Sequence, residues 1–182
     1  MCKQTVRAKF ITEWEHEVSN IEQHPILRMY TKIKMTFGME PYMKYIKNVK
    51  YRTALSRFRM SSHCLQIERG RHQRPKQAIK DRICFKCNVV EDEYHFLLQC
   101  QLYMADRQEL FDKVTAKDHN FGQLNNEDIF IYLLKSEDEQ ILSWLGKFVH
   151  TSFSKRAELL TTSNDSLCNN MQPDIRQFLI PL

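Results

Sequence analysis

The chain has 182 residues, of which 42% are hydrophobic and 27% charged, and this composition can build a folded core. Only four glycines and five prolines are present, which disfavours a loop-rich β protein and favours helices. No apolar stretch approaches the roughly 20 residues of a membrane span, and no apolar block of a signal peptide follows the N-terminus. We therefore expect a mainly α, intracellular protein, nuclear or cytoplasmic, without a membrane partner.

Apolar side chains recur at helical spacing along most of the chain, and no strand alternation stands out. The predicted helices lie, in chain order, at residues 10–21, 25–38, 41–49, 52–59, 63–70, 102–115, 126–135 and 138–160. Prolines open the second and third of them, Ser61 or Ser62 caps the fifth, and Gly38 and Gly70 end the second and the fifth. After Thr161 the chain turns polar, and we expect a disordered tail.

One basic segment carries the whole excess of positive charge. Residues 52–82 contain nine Lys or Arg and two acids, a net charge of +7, whereas the whole chain has +5. Such a local excess is typical of surfaces that bind polyanions, and a solvated basic face is the alternative. Part of this segment, residues 70–82, is expected to be a loop. The candidate phosphate contacts are Arg57, Arg59, Arg69, Arg71, Arg74, Lys76, Lys80 and Arg82.

Three of the six cysteines cluster with a histidine. Without a secretory signal we expect a reducing compartment, which argues against a disulfide framework. The cluster has the pattern C-x2-C-x7-H-x4-C and consists of Cys84, Cys87, His95 and Cys100. Two intervening residues let a tight turn point both cysteines at one ion, and the longer spacer gives the chain room to reverse. The pattern is typical of a metal site.

Three thiolates and one neutral imidazole complete a tetrahedral zinc shell and leave no open position for water or substrate. We therefore predict a structural zinc ion, held by a CCHC zinc knuckle in the middle of a small helical domain. Unligated thiols and an iron–sulfur cluster are the alternatives. His63 and Cys64 lie upstream and could compete as ligands. Glu91, Asp92 and Glu93 suit the positive end of a short helix that begins there.

These motifs divide the chain into four segments: N-terminal helices at 1–49, the basic segment and zinc module at 50–116, C-terminal helices at 117–162, and the tail at 163–182. Within the second segment, four stretches follow one another in a recognisable order. They are YRTALSRFRMSSH at 51–63, IERGR at 67–71, RICFKC at 82–87 and EDEYHFLLQC at 91–100, followed by Leu102, Tyr103 and Arg107.

This order resembles the C-terminal zinc-binding region of non-LTR retrotransposon reverse transcriptases. The resemblance implies that the four cluster residues are metal ligands and that the region associates with RNA or DNA. The chain contains no aromatic-x-Asp-Asp polymerase signature and no endonuclease constellation. We therefore expect a non-catalytic, retrotransposon-derived module detached from its polymerase, without a small-molecule substrate.

Two functions remain open at this stage. The first is binding of RNA or DNA through the basic surface of residues 52–82 around a zinc-pinned scaffold. The second is a helical protein-interaction module with a purely structural zinc site, for which the last long helix is the docking face. An exposed apolar stripe along residues 141–160 would favour the second. We also expect Cys84→Ser to unfold the central region and to affect the last helix less.

Overall fold

The computed structural model describes residues 3–20, 22–24, 27–34 and 36–162. The predictions made for Ile21, Pro25, Ile26 and the tail at 163–182 lie outside these residues, as do Cys2 and Cys168. The described part of the chain is helical and contains no strand; one antiparallel bridge joins Ile83 to Val90. Within it, no helix is long and apolar enough to cross a membrane.

The described residues form eight α-helices, and single turns of 3₁₀- or π-helix connect several of them. The helices α1 to α8 span Lys3–Ser19, Tyr30–Ile33, Pro41–Tyr45, Val49–Arg59, Gln66–His72, Met104–Lys117, Asn126–Lys135 and Glu139–Thr162. A side chain caps the first turn of three of these helices, and short polar residues are the usual caps. Asn48 accepts from Lys50 N at 2.9 Å, Asn125 accepts from Asp128 N at 3.0 Å, and Asp138 accepts from Ile141 N at 3.0 Å. Asn125 is thus the cap of α7.

The predicted second helix is too long, because among the described residues of 25–38 the α-helix α2 spans only Tyr30–Ile33. Lys34 leaves the helical backbone at φ −98° and ψ 108°. Its ammonium group binds the Glu40 carboxylate at 2.8 Å and the Gly38 carbonyl at 2.7 Å, so tertiary contacts replace further helical turns. Gly38 has φ 152°, a conformation that side chains disfavour, and it turns the chain toward α3.

The start and end predicted for the fifth helix are also wrong. Leu65, and not Ser61, precedes α5, and Ser61 Oγ donates instead to Glu93 at 2.9 Å. Gly70 lies inside the helix rather than at its end. A Cβ atom at this position would lie 2.6 Å from Cγ of Arg82, so glycine here makes room for a packed arginine.

The core forms around α8, which packs along α4 and also contacts α3 and α6. Phe96, from the segment that carries the cysteine cluster, is fully buried at the centre of this core. Its ring meets four aromatic rings at centroid distances between 4.7 and 5.8 Å, those of Phe58, Tyr103, Phe148 and Phe153. The cluster segment and the long C-terminal helix therefore share one hydrophobic core.

The apolar face of α8 packs into the core of the molecule. The stripe along residues 141–160 is mostly buried, at Ile141, Leu142, Leu145, Phe148, Val149 and Leu160. Phe153 and Ala157 remain half-buried. The exposed stripe that would favour a protein-docking helix is thus not found on α8.

Candidate metal centre

The first two cysteines lie on a tight turn. Cys84 O accepts from Asn88 N at 2.9 Å, and Cys84 N donates to Val89 O at 2.7 Å. Asn88 has φ 56°, a left-handed conformation that asparagine tolerates better than most residues. The turn therefore closes directly after Cys87, and both sulfur atoms face the same side.

The other two ligand candidates lie at the ends of one turn of π-helix, His95–Gln99, which His95 begins and Cys100 follows. Asp92 Oδ1 accepts from His95 N at 2.8 Å, as expected for an acidic residue before a helical turn. Cys100 N donates to His95 O at 2.8 Å, so the two residues are stacked one turn apart. An α-helix would turn residues five positions apart onto different faces. π-turns are rare, and they occur frequently at functional sites.

The structure brings the four predicted residues together. One sulfur or nitrogen atom from each of Cys84, Cys87, His95 and Cys100 lies within 4.8 Å of the others. Cys100 Sγ lies 3.9 Å from Cys84 Sγ and 3.9 Å from Cys87 Sγ. In a tetrahedral site with Zn–S bonds of about 2.3 Å, neighbouring sulfurs are about 3.8 Å apart. The sulfur spacing therefore fits an ion of this size.

Burial of the imidazole supports the same fit. His95 is only 4% exposed, and neither of its ring nitrogens has a hydrogen-bond partner among the described residues. A buried polar atom without a partner costs free energy, and a metal–nitrogen bond removes that cost at one nitrogen. Cys84 and Cys100 are buried as well, whereas Cys87 is half-buried. The four residues can hold one metal ion.

Two thiols of the cluster are in close contact. The contact with the Cys100 thiol lowers the pKa of Cys84, and burial opposes this shift. Metal binding requires thiolates, so the contact favours the form of the cluster that binds a metal ion. Outside the cluster, Gln101 N points at Cys87 Sγ at 3.5 Å. His63, one of the alternative ligands, binds Glu93 at 2.9 Å and does not belong to the cluster.

Two arginines hold the cluster segment in place, and neither was predicted to do so. Arg107 of α6 donates to the carbonyls of Leu97 at 2.8 Å and Cys100 at 2.6 Å. Arg156 of α8 is fully buried and binds Glu91 at 2.6 Å. Because Glu91 lies between two cluster residues in the chain, this pair fixes residues 84–100, which we call the metal segment, on α8.

The spacing of apolar residues in the sequence indicates that Arg156 is buried, although its charge suggests an exposed position. Val149, Phe153, Arg156 and Leu160 recur at spacings of four, three and four, so the arginine lies on the apolar face of its helix. Its partner Glu91 also accepts from Gln66 N at 2.8 Å, at the start of α5. Burial raises the pKa of this carboxyl group, and Arg156 opposes that rise.

The eight predicted phosphate contacts fall into two groups. Arg57, Arg74, Lys76 and Lys80 are exposed, and Arg71 is half-buried against Glu68. The other three lie in the interior and are Arg59, Arg69 and Arg82, at 4%, 7% and 9% exposure. The sequence did not indicate that these three side chains are buried.

Each buried arginine with a described partner donates to backbone carbonyls or to a carboxylate. Arg59 binds Glu40 at 2.6 Å and also donates to the Leu134 carbonyl. Arg82 donates to the carbonyls of Ile67 at 2.7 Å and Gln77 at 2.8 Å. Arg82 thereby ties the loop that carries the exposed cations to α5, directly beside the metal segment.

Comparison of the chain with protein-family models, with curated proteins and with solved structures finds no match.

Proposed function

We propose that this chain is a non-catalytic, zinc-stabilised module that binds RNA or DNA, and that it derives from the tail of a non-LTR retrotransposon reverse transcriptase. The observation that carries the proposal is the compact Cys84, Cys87, His95, Cys100 cluster, whose sulfur spacing suits zinc. Three thiolates and one imidazole leave no ligand position open, so the ion stabilises the fold rather than reacting. The sequence resemblance supports the ancestry.

The position of the basic loop supports the choice of partner. Arg74, Lys76 and Lys80 are exposed on the loop that follows α5. Arg82 anchors this loop, and its carbonyl accepts from Glu91 N at 2.8 Å within the metal segment. A rigid metal-centred scaffold thus presents exposed cations, and such cations contact phosphates without reading sequence.

A salt series tests this proposal. Binding of fluorescent single-stranded RNA, single-stranded DNA and duplex DNA is measured by anisotropy at several salt concentrations. Affinity should fall steeply with salt, because each phosphate neutralised releases counterions. The variant Lys76→Gln/Lys80→Gln should bind more weakly and reduce the logarithmic salt slope by roughly 0.7 for each lost contact to a single strand.

The matched control is Lys9→Gln/Lys135→Gln, which removes the same charge from two exposed positions on α1 and α7. It should leave the salt slope unchanged. Equal losses in both double variants would point to net charge instead of a binding surface. No salt-sensitive binding to any nucleic acid would refute the proposed partner, and zinc content measured on the same sample tests the metal separately.

A further inference from the structure

A cavity of about 500 Å³ lies between α4, α5 and α8. Its volume is within the range of roughly 300–1,000 Å³ that is typical of small-molecule sites. None of the four metal-cluster residues lines it, and neither do the exposed loop cations Arg74, Lys76 and Lys80. The cavity is therefore a feature separate from both the metal centre and the basic loop.

Two residues with buried polar atoms, His63 and Ser62, line this cavity. The His63 side chain is 1% exposed, and its Nε2 lies 2.9 Å from Glu93 Oε1. This contact occupies one of the two ring nitrogens. Nδ1 is buried and has no hydrogen-bond partner among the described residues, and the same holds for Oγ of Ser62 beside it. A ligand with both donors and acceptors suits a wall that contains such groups.

Cations surround the outer part of the cavity. Lys50 and Arg57 line it and are exposed, and Arg71 lines it with a buried Nε that has no hydrogen-bond partner in the described part of the chain. The carboxylate of Glu68 also lines the cavity, but Arg28 and Arg71 both bind it. The opening is therefore positively charged and suits an anion.

The remaining walls are apolar. Ala54 of α4, together with Phe153 and Ala157 of α8, lines the cavity. One face of the Phe153 ring stacks on Phe96 at 4.8 Å between centroids, and the ring is half-buried. Such walls favour a flat ring over a small hydrated anion, because inorganic phosphate would leave them unfilled.

We propose that this cavity binds a nucleoside phosphate, with the base between the apolar walls and the phosphate at Lys50 and Arg57. The planar base fits the apolar walls, its donors and acceptors fit the polar groups of His63 and Ser62, and its attached phosphate fits the cations. Resting on the proposed function, the source is one unstacked nucleotide of a bound single strand, since proteins bind unpaired bases in this manner.

The test compares two single strands of equal length and charge, U₁₀ RNA and an abasic strand with the same phosphodiester backbone. The unmodified protein should bind U₁₀ about tenfold more tightly than the abasic strand, because stacking of a base adds to phosphate contacts. Ala157→Leu, which fills the cavity, should remove this preference and leave affinity for the abasic strand unchanged. Free UMP, measured by calorimetry with both proteins, forms the second arm.

Ala116→Leu is the matched control, since Ala116 is exposed on α6 away from the cavity; it should keep the preference. If Ala157→Leu does not fold by circular dichroism, Ser154→Leu replaces it, because Ser154 lines the cavity from an exposed position.

The outcomes separate this inference from the proposed function. Salt-sensitive binding with equal affinity for U₁₀ and the abasic strand overturns the pocket and leaves the nucleic-acid module standing. Binding of UMP that Ala157→Leu abolishes, without strand binding, supports the pocket and overturns the strand as its source. A preference for U₁₀ that survives both filling variants places the base elsewhere and overturns the inference.

Discussion

The metal segment and helix α1 show two ways in which this chain attaches a piece of structure to its core. The metal segment is buried at Cys84, Phe96 and Cys100, and the buried Arg156 of α8 binds it through Glu91. In α1, none of the described side chains is buried, and Val6 is 53% exposed. Attachment strength depends on burial and on specific partners, and helix-forming pattern alone does not supply either.

The attachment of α1 is a small aromatic contact. Trp14 meets Phe37 edge-on at 5.6 Å and Tyr30 at 6.5 Å, and Phe10 meets Phe37 at 5.5 Å. One exposed ion pair, His24 with Glu17 at 2.7 Å, adds little in water. We therefore expect α1 to detach at a far lower cost in free energy than the metal segment. The following predictions test this difference.

The largest expected effect is loss of the metal. Cys84→Ser, or a strong chelator, should lower the free energy of unfolding by more than about 4 kcal/mol, because loss of a structural metal is among the most destabilising changes. Urea unfolding followed by circular dichroism measures it. Cys64→Ser is the control, since Cys64 lies outside the cluster, and it should cost far less.

The shared core changes one expectation about this variant. From the sequence, α8 should be less affected, but Phe96 packs on Phe148 and Phe153 of α8. Hydrogen exchange should therefore show faster exchange along α8 in Cys84→Ser, and unchanged exchange in α8 would contradict this coupling. The amides of α1 serve as the internal reference.

The next effect concerns the buried pair that fixes the segment on α8. Arg156→Met leaves Glu91 buried without its counter-ion, and this should cost about 3–5 kcal/mol. The double variant Arg156→Met/Glu91→Gln should cost less than the single one, because no unpaired charge remains and the introduced amide oxygen can still accept from Gln66 N. Thermal unfolding of both variants measures the difference. Equal stability of Arg156→Met and the parent would show that the pair does not attach the segment.

A smaller effect separates two arginines that lie on the same helix, α4. Arg59→Met should cost about 2–3 kcal/mol, because it removes charge-assisted hydrogen bonds to Glu40 and to the Leu134 carbonyl. Arg57→Met changes an exposed side chain and should stay within about 0.5 kcal/mol of the parent. Arg57→Met should nevertheless weaken nucleic-acid binding. Similar stability losses in both variants would contradict the assigned positions.

The smallest effect is expected at α1. Trp14→Ala should cost about 1 kcal/mol, the value of exposed aromatic contacts. The matched change in the core, Phe58→Ala, should cost about 3–5 kcal/mol, because Phe58 is fully buried. Both are measured by urea unfolding. A loss at Trp14 as large as that at Phe58 would show that α1 belongs to the cooperative core.

Local patterns in the sequence predicted the local structure well. The last two helices lie within a few residues of their predicted bounds, because their apolar spacing and caps are encoded in neighbouring residues. The second and fifth helices were predicted less well. Lys34 binds Glu40 and Gly70 makes room for Arg82, and neither contact follows from the helical spacing of apolar residues.

By itself, the sequence determined the metal cluster, since the spacing of Cys84, Cys87, His95 and Cys100 constrains one short chain reversal. Only the tertiary structure decided which positive charges are exposed. Arg57 and Arg59 are two residues apart and equal in chemistry, yet one is exposed and the other meets Glu40 inside the protein. A charge can be buried only where a distant segment supplies its partner, and no local pattern records that partner.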